Sequence, residues 1–499
     1  MFLRECLSRG SSRSRAIALR GTSHSCFTNE RKGTTICALS SGHGKCGVAV
    51  VRVSGSRSMD ALKRMTNISK LEPRKAFLRK IRDPETGEVI DHGLCLWFPG
   101  PRSFTGEDCV EFHVHGGSAI LSRLMQALSR LRVYPAQPGE FTRRAFYNNK
   151  LDLTEVEGIA DLIEAETEYQ RKQALLQADG LLRKLYDSWR KVLSECVASL
   201  EAYIDFGEDE NIESEVVERA HGALRKLLRG IEEHLADGRK GEILRNGVRT
   251  VIVGEPNVGK SSLLNRLVQR NAAIVTPVAG TTRDVIELSA NISGYPVLIA
   301  DTAGITDGTE DIVEAEGVRR ARKHAANADF VVVVVDASNF VTSGMTYGDY
   351  VREYSSSLGI HELLTEMGKR RFVVVMNKRD LLGEEDERRL SDTEAVLVSC
   401  KTENGFQNLL RSLTDRFTDI CGNPSAESPT ISQARHRNHL TQCLRHLQNY
   451  FELCANEQHD MAIAAEEIHK AMRELGRITG HVSTDEILDI IFKNFCIGK

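Results

Sequence analysis

The stretch Gly254-Glu255-Pro256-Asn257-Val258-Gly259-Lys260-Ser261 decides the fold of the middle of this chain. It follows the apolar run 251–253 and opens the amphipathic segment 262–267, so it matches G-x-x-x-x-G-K-[ST] between a strand and a helix. In this context the loop amides surround the phosphates of a nucleotide, Lys260 reaches the β and γ oxygens, and the Ser261 hydroxyl suits Mg²⁺. The sequence therefore predicts a P-loop nucleotide site.

Three later motifs, each at the end of an apolar run, identify the nucleotide. Asp301-Thr302-Ala303-Gly304 fits D-x-x-G, in which the carboxylate holds Mg²⁺ through water and the glycine amide senses the γ-phosphate. In Asn377-Lys378-Arg379-Asp380, the final carboxylate can accept the two N–H donors of guanine, whereas adenine offers no such pair. Ser399-Cys400-Lys401 fits the loop that closes over the base. In this order the motifs predict GTP.

The residue after D-x-x-G distinguishes this site from that of Ras-like switches. Those switches carry glutamine there to orient the attacking water, but Ile305 has neither a donor nor an acceptor. An acidic side chain further on could orient the water instead, with a solvated acidic loop as the alternative; these residues are Asp307, Glu310, Asp311, Glu314 and Glu316. The side-chain oxygen of Asn257, with carbonyl groups of the 276–281 loop, could coordinate a monovalent cation in place of an arginine finger.

The segment from residue 34 to about 153 has the pattern of a β-rich mixed domain. Residues 48–55 and 109–117 alternate like strands, and Cys109, Glu111, His113 and His115 share one face of the second. This face favours a small polar ligand. A metal site is the alternative, but no further His/Cys cluster lies nearby.

Two helical blocks flank the α/β unit of residues 248–420. The first begins where Thr154 and Glu157 fit a T-x-x-E capping box, pauses at 205–218 and continues to about 244; the second covers 431–496. We therefore expect the α/β unit to be inserted into a helical domain whose two halves pack together.

Length and composition are those of an ordinary protein of about three domains, with 499 residues, 41% hydrophobic and 27% charged. No apolar run reaches the ~18 residues of a membrane span, so we expect no membrane insertion. The twelve cysteines form no C-x-x-C pair, which favours a reducing compartment without a zinc ribbon or disulfide framework.

The first 32 residues hold six arginines, one lysine, six serines and only two acidic residues, a composition typical of a mitochondrial transit peptide. A basic arm that stays attached is the alternative. Without this segment the formal net charge falls from −3 to −8. Any RNA must therefore bind through local patches or on a partner's surface.

Several motifs outside the nucleotide site resemble one family. They are Arg52 in V-V-R-V-S-G, Ser103-Phe104-Thr105-Gly106-Glu107-Asp108, the H-G-G turn, P-G-E-F-T-x-R-A-F, K-L-D-L-T and the terminal Phe495-Cys496-Ile497-Gly498-Lys499. With the central GTPase they make residues 34–499 similar to the MnmE/TrmE family of tRNA modification GTPases, in its mitochondrial form. Few GTPases carry both this N-terminal segment and this tail.

The resemblance implies a multidomain α/β and α+β fold. The expected parts are a transit peptide (1–33), a folate-binding, dimer-forming α+β domain like the aminomethyltransferases (34–152), the first half of a helical domain (153–247), an inserted Ras-like P-loop GTPase domain (248–421) and the second helical half (422–499).

The resemblance also implies site residues. Those expected around GTP are Asn257, Val258, Gly259, Lys260, Ser261, Ser262, Thr276, Pro277, Val278, Ala279, Gly280, Thr281, Thr282, Asp301, Thr302, Ala303, Gly304, Asn377, Lys378, Asp380, Ser399, Cys400 and Lys401. Ser261 and Thr282 would hold Mg²⁺, and K⁺ would lie among Asn257, Thr276, Val278 and Thr281. The folate contacts would be Arg52, Glu111, Lys150 and Lys499.

Lys260 and Glu314 would be catalytic, the latter by orienting water. Glu316 remains a rival because this loop has one residue more than bacterial members between Asp301 and Gly317. Cys496 matches the family's tail cysteine, for which a structural end segment is the alternative to a chemical role.

The family's ligands are GTP, Mg²⁺, K⁺ and a tetrahydrofolate derivative (5-formyl or 5,10-methylene). Its partners are the FAD-carrying MnmG (GidA) protein, tRNA and a second copy of the same chain. Together they install an aminomethyl-type group on C5 of the wobble uridine, taurinomethyl in animal mitochondria, so the expected place is the mitochondrial matrix. A regulatory GTPase of mitochondrial ribosome assembly is the alternative, although that class lacks the folate-type domain and the tail. A purely folate-binding scaffold is disfavoured because the GTPase motifs are intact.

Overall fold

A computed structural model describes residues 33–42, 44–206, 214–271, 287–300, 323–425, 429–455, 461–482, 485–493, 495 and 498. The chain divides into two compact units. The first contains residues 1–145 and 496–499, and the second contains residues 146–495.

The first unit is built on a six-stranded sheet of order β3-β4-β5-β2-β1-β6, antiparallel except for the parallel pair β1–β6. On β2 the side chains of Ala49, Val51 and Val53 are buried while Arg52 points to the opposite face, as the alternation of a strand requires. The strands are β1 Thr35–Leu39, β2 Ala49–Ser54, β3 Phe77–Arg82, β4 Val89–Phe98, β5 Cys109–Val114 and β6 Val133–Pro135.

One face of this sheet forms the core of the unit with helices α1 (Ser58–Thr66) and α2 (Ser118–Arg130). On the other face, helix α3 (Glu140–Tyr147) packs Phe141 against the β1 end, and the β2–β5 region carries polar side chains. The end of the chain also reaches β1, because Ser40 Oγ donates to the carbonyl oxygen of Gly498 at 3.0 Å. A Cβ atom on Gly498 would lie 2.1 Å from the carbonyl oxygen of Leu39, so this contact requires glycine.

The second unit contains a sheet of order β12-β11-β10-β7-β9-β8, in which only β8 is antiparallel to its neighbour. The sequence predicts four of its strands; β8 and β10 were not predicted. Because the parallel strands all end at one edge, the loops after β7, β11 and β12 meet there. The strands are β7 Val248–Val253, β8 Glu287–Ile292, β9 Tyr295–Ala300, β10 Phe330–Asp336, β11 Phe372–Asn377 and β12 Val396–Leu397.

Helices before and after this sheet share one hydrophobic core, which includes the fully buried Tyr186, Leu224, Leu447 and Leu475. The helices of the unit are α4 Leu153–Glu164, α5 Glu168–Ala178, α6 Leu181–Phe206, α7 Ser214–Leu235, α8 Lys240–Asn246, α9 Lys260–Asn271, α10 Ala337–Ser343, α11 Tyr347–Ser357, α12 His361–Met367, α13 Glu384–Ser391, α14 Phe406–Cys421, α15 Ala434–Cys454, α16 Met461–Thr479 and α17 Asp485–Lys493.

The predicted capping box of Thr154 and Glu157 is wrong. Helix α4 is capped two residues earlier, where Asp152 accepts the Glu155 amide at 2.7 Å and Glu155 accepts the Asp152 amide. Glu157 is instead buried against α15, where it pairs with Arg435 and His436. Burial alone would raise the pKa of Glu157, but its charge interactions and hydrogen bonds with His436 and Arg435 lower it to about 2. This carboxylate therefore joins the two helical segments.

Among the helices that the structure describes, none is long and apolar enough to cross a membrane.

Candidate functional site

The loop between β7 and α9 has the backbone geometry of a phosphate cradle. Gly259 has φ +98°, and a Cβ atom there would lie 2.2 Å from Nδ2 of Asn377. Val258 is buried, whereas Asn257 is exposed with φ +61°. The close approach of Asn377 leaves no room for any side chain at Gly259. The loop amides lie next to the N-terminus of α9, where an anion is favoured.

Lys260 lies inside this loop. Its Nζ donates to the carbonyl oxygens of Gly254 at 2.8 Å and Glu255 at 2.7 Å. Burial lowers the pKa of Lys260. Ser261 and Ser262 follow on the first turn of α9 and are exposed, so the Ser261 hydroxyl is accessible to a Mg²⁺ ion.

The base end of the site is organised by Asn377, which is buried. Its Nδ2 donates to the carbonyl oxygen of Val258 at 2.8 Å, and its Oδ1 accepts the Cys400 amide at 3.1 Å. One side chain thus joins the phosphate loop to the loop that follows β12. Burial raises the pKa of the Cys400 thiol to about 11, so it stays a neutral thiol.

Asp380 accepts a hydrogen bond from Ser399 Oγ at 2.6 Å. This bond is the main cause that lowers the pKa of Asp380, with help from the charges of Lys401 and Lys378. The carboxylate is therefore ionised near neutral pH, as the recognition of two guanine N–H donors requires. This hydrogen bond joins the predicted residue after β11 to the predicted residue after β12.

Two contributors to this site were not predicted. The first is Asp336 at the end of β10, whose Oδ2 lies 2.6 Å from Nζ of Lys378. Burial would raise the pKa of Asp336, but hydrogen bonds from Lys378 and the Ser338 amide hold it below its usual value. A valine run that ends in an aspartate was the available signal, because it indicates a buried strand with a carboxylate at the same sheet edge.

The second is Tyr354 on α11. Its hydroxyl accepts the Glu255 amide at 2.8 Å and donates to the carbonyl oxygen of Val334 at 2.9 Å. Tyr354 therefore holds in place the loop segment whose two carbonyl groups accept hydrogen bonds from Lys260. No local pattern indicates this contact, because it joins residues 99 positions apart.

The remaining predicted GTPase residues lie outside the described residues. They are Thr276, Pro277, Val278, Ala279, Gly280, Thr281, Thr282, Asp301, Thr302, Ala303, Gly304, Glu314 and its rival Glu316. Cys496, Lys499 and residues 1–32 of the expected transit peptide are also outside them.

The first unit brings Arg52 and Glu111 together. The two residues are directly paired between β2 and β5, and Arg52 Nε and Nη2 lie 3.1 and 3.0 Å from Glu111 Oε1. The Arg52 guanidinium also lies 5.2 Å from the ring centre of Phe104 and 5.8 Å from that of Phe141. Both charged side chains are about one-fifth exposed, so a ligand can reach a positive and a negative group on an aromatic-lined face.

A second polar network lies at the end of the same strands and was not predicted as a site. Glu107 accepts hydrogen bonds from Ser54 Oγ at 2.7 Å and Arg144 Nη1 at 3.0 Å, and Arg144 also pairs with Glu140. Glu107 and Arg144 both belong to quoted family motifs, so those motifs contain structural ion pairs as well as ligand-facing groups.

Lys150, the third predicted folate contact, is exposed and belongs to the second unit. His113 pairs with Glu111, and His115 pairs with Asp91. Among the described residues no group of three or more His, Cys, Asp or Glu side chains is arranged to hold a metal ion.

Comparison with known proteins gives matches over almost the whole chain. Residues 35–150 match the family model of the GTP-binding protein TrmE N-terminus, and residues 153–496 match that of the MnmE helical domain. The mitochondrial protein of Danio rerio named 5-taurinomethyluridine-[tRNA] synthase subunit GTPB3 is 49% identical over 474 residues, which are 93% of each chain. Its Homo sapiens namesake is 47% identical over 470 residues, 94% of each chain. The tRNA modification GTPase MnmE of Rickettsia bellii (strain RML369-C) is 43% identical over 467 residues, 93% of this chain and 100% of that protein. With these matches, the chain belongs to the MnmE/TrmE family of tRNA modification GTPases.

Proposed function

We propose that this protein is the GTP-hydrolysing subunit of a mitochondrial complex that installs a taurinomethyl-type group on C5 of the wobble uridine of tRNA. The observation that carries this proposal is the near full-length similarity to relatives named as subunits of that synthase. The names of these relatives also support a place in mitochondria, and we propose the matrix as the compartment.

The GTPase domain is inserted into the helical domain in this proposal. Two observations support the insertion: the match to one helical-domain family runs from 153 to 496, and helices from both sides of the sheet share one core. GTP would bind with its phosphates on the loop amides and Lys260 and its base on Asp380. Ser261 and Thr282 would hold Mg²⁺, which neutralises phosphate charge when bound.

Hydrolysis in this protein uses Glu314 to orient the attacking water, since Ile305 cannot, and potassium at Asn257, Thr276, Val278 and Thr281. The exposed position of Asn257 on the phosphate loop supports the potassium assignment. Exchange of K⁺ for Na⁺ is expected to slow GTP turnover, and Glu314→Ala should lower kcat by around 10² with GTP affinity kept. Unchanged turnover in Na⁺ would remove the potassium assignment, and full activity of Glu314→Ala with loss in Glu316→Ala would move the role to Glu316.

A tetrahydrofolate derivative, 5-formyl or 5,10-methylene, would bind at Arg52 and Glu111, with Lys150 and Lys499 as further contacts. The paired charges and the two phenylalanine rings suit a ligand with a planar polar ring and carboxylates. When bound, this ligand supplies the one-carbon unit. Arg52 and Glu111 orient it. Cys496 is a further candidate catalytic residue.

The partners in this proposal are an FAD-carrying protein of the MnmG type, the tRNA and a second copy of this chain that associates through the first unit. The word subunit in the names of the relatives supports a complex.

Profiling of wobble uridines in mitochondrial tRNA, after removal of this protein from its organism, tests the proposal directly. We expect unmodified C5 at those uridines and their recovery on re-expression. Intact C5 together with defective mitochondrial ribosomes would instead identify a ribosome-assembly GTPase.

A further inference from the structure

A local concentration of positive charge lies on the first unit. Residues 70–82 contain six basic side chains and one acidic side chain, Glu72, in a chain whose net charge is negative. Five of the basic side chains are exposed, and the sixth, Arg82, is half-buried. The exposed five are Lys70, Arg74, Lys75, Arg79 and Lys80. We call residues 70–82 the basic stripe.

The basic side chains of the stripe differ from four other arginines of the first unit in whether they form an ion pair with a carboxylate. Arg52, Arg123, Arg130 and Arg144 each pair with a carboxylate. In the stripe, Lys75 pairs with Glu72. Within the described residues, no ion pair involves the other five basic side chains of the stripe. These unpaired cations are available to an anionic partner without the loss of an internal ion pair.

The stripe is held in a fixed position at the edge of the sheet. Its second half is β3, the outermost strand, which pairs with β4 from Phe77 to Arg82. Its first half is anchored because the Arg74 amide donates to the Trp97 carbonyl oxygen at 2.8 Å and the Arg74 guanidinium donates to the Arg102 carbonyl oxygen. Arg102 is itself exposed and adds to the positive charge at this end.

Non-ionic groups on the stripe also suit a nucleic acid. Leu78 is 66% exposed, next to Leu94 of β4, which is 42% exposed, and the Arg79 guanidinium lies 5.9 Å from the ring centre of Phe77. Leu78 and Lys80 lie on one face of this edge strand, and Phe77 and Arg79 lie on the other. Each face therefore has a positive group beside an apolar or aromatic one, which can contact a phosphate and the face of a ribose or base. Lysines on an edge strand also prevent edge-to-edge pairing, but that role does not require six basic residues extending beyond the strand.

We propose that the basic stripe binds the phosphate backbone of the tRNA substrate. This inference rests on the proposed function only for the identity of the nucleic acid. Recognition would be by charge and shape, so the stripe would position the tRNA without reading its sequence.

The test compares two full-length variants that each lose three positive charges. One removes stripe charges by Lys70→Gln, Arg79→Gln and Lys80→Gln. The control removes exposed charges elsewhere on the same unit by Lys45→Gln, Lys63→Gln and Arg132→Gln. The affinity of each protein for a mitochondrial tRNA transcript is measured as a function of salt concentration. GTP turnover and elution volume establish that the proteins are folded and equally associated.

We expect the stripe variant to bind tRNA roughly tenfold or more weakly at low salt. The slope of log affinity against log salt should become shallower by about 2, because three phosphate contacts are lost. The control variant should bind like the wild type, and GTP turnover should be unchanged in both. Equal slopes for the stripe variant and the wild type, equal losses in both variants, or no binding by the wild type would each overturn the proposal.

The wobble-uridine assay separates failure of this inference from failure of the proposed function. If wobble uridines do not depend on the protein at all, the proposed function fails. If they depend on the protein and the stripe variant loses modification while its tRNA affinity is unchanged, the stripe contacts a protein partner, and only the tRNA assignment is wrong.

Discussion

The proposed GTP site consists mostly of backbone amides and of side chains at the ends of parallel strands. On the first unit, by contrast, the Arg52–Glu111 site consists of side chains from the middle of two antiparallel strands. The first arrangement leaves no space for a side chain on the phosphate loop, because Gly259 lies directly against Asn377. The second depends on two long side chains and their charges. We therefore expect that adding one methyl group to the phosphate loop abolishes its function. Changes to the side chains of the Arg52–Glu111 site should reduce its function by degrees.

The largest effect is expected for Gly259→Ala. The added Cβ would lie 2.2 Å from Asn377 Nδ2, and φ +98° disfavours any side chain. GTP affinity, measured by titration, should fall by more than about 10² because the phosphate loop and the base loop separate. The control is Gly348→Ala on α11, where an added Cβ meets nothing within 4 Å. Tight GTP binding by Gly259→Ala would contradict the backbone-cradle description.

The next effect concerns the base. Asp380→Asn removes the acceptor for two guanine donors and leaves a buried donor unpaired, which costs roughly 1–3 kcal/mol, or about 5- to 150-fold in GTP affinity. Because an amide can donate to the second oxygen of xanthine, affinity for xanthosine triphosphate should rise. Competition between the two nucleotides measures this exchange. If their relative affinities stay as in the wild type, Asp380 does not read the base.

A smaller effect is expected on the first unit. Glu111→Gln keeps the size of the side chain but removes the charge that pairs with Arg52 at 3.0 Å. The affinity for the proposed ligand 5-formyltetrahydrofolate should fall about tenfold. This is the lower end of the roughly 1.5–3 kcal/mol that charge-assisted hydrogen bonds contribute, because the amide oxygen can still accept a hydrogen bond. GTP turnover should not change. His115→Gln is the matched control, because His115 pairs with Asp91 instead. Equal folate affinity in Glu111→Gln and the wild type would show that the pair does not face the ligand.

The smallest effect on GTP kinetics is expected for a residue that lies outside the GTP site and supports it. Tyr354→Phe removes the hydroxyl that joins the Glu255 amide to the Val334 carbonyl oxygen. We expect the KM for GTP to rise severalfold, with a smaller change in kcat, because Lys260 loses the support of its carbonyl partners in the bound state. Tyr350→Phe, whose ring stacks on that of Tyr354 at 5.9 Å, is the control. Equal effects of the two variants would indicate a packing role only.

The same contrast explains what could be predicted from sequence. The phosphate loop, Asn377, Asp380 and Ser399 follow apolar runs in a fixed order, so their convergence at one sheet edge follows from strand topology. Arg52 and Glu111 lie 59 positions apart, and only the register of two strands brings them together. Periodicity gives the faces of strands but not their partners, so that pair was found through family resemblance.

Two further differences between prediction and structure have separate causes, one local and one tertiary. Asp152 lies two residues before Thr154, and its carboxylate caps α4 better than the hydroxyl does, which displaced the predicted capping box and left Glu157 free to pair with α15. Tyr354 contacts the phosphate loop from α11, a helix that was not predicted from the sequence. This second contact is tertiary, because it joins residues 99 positions apart.

We infer that the two sites serve one reaction although each can be changed separately. Arg52→Ala tests it most directly, with GTP turnover measured on the purified protein and C5 modification of wobble uridines measured in mitochondrial tRNA from cells that carry only this variant. We expect wild-type GTP turnover together with loss of the modification. Full modification by a variant that no longer binds the folate would contradict it.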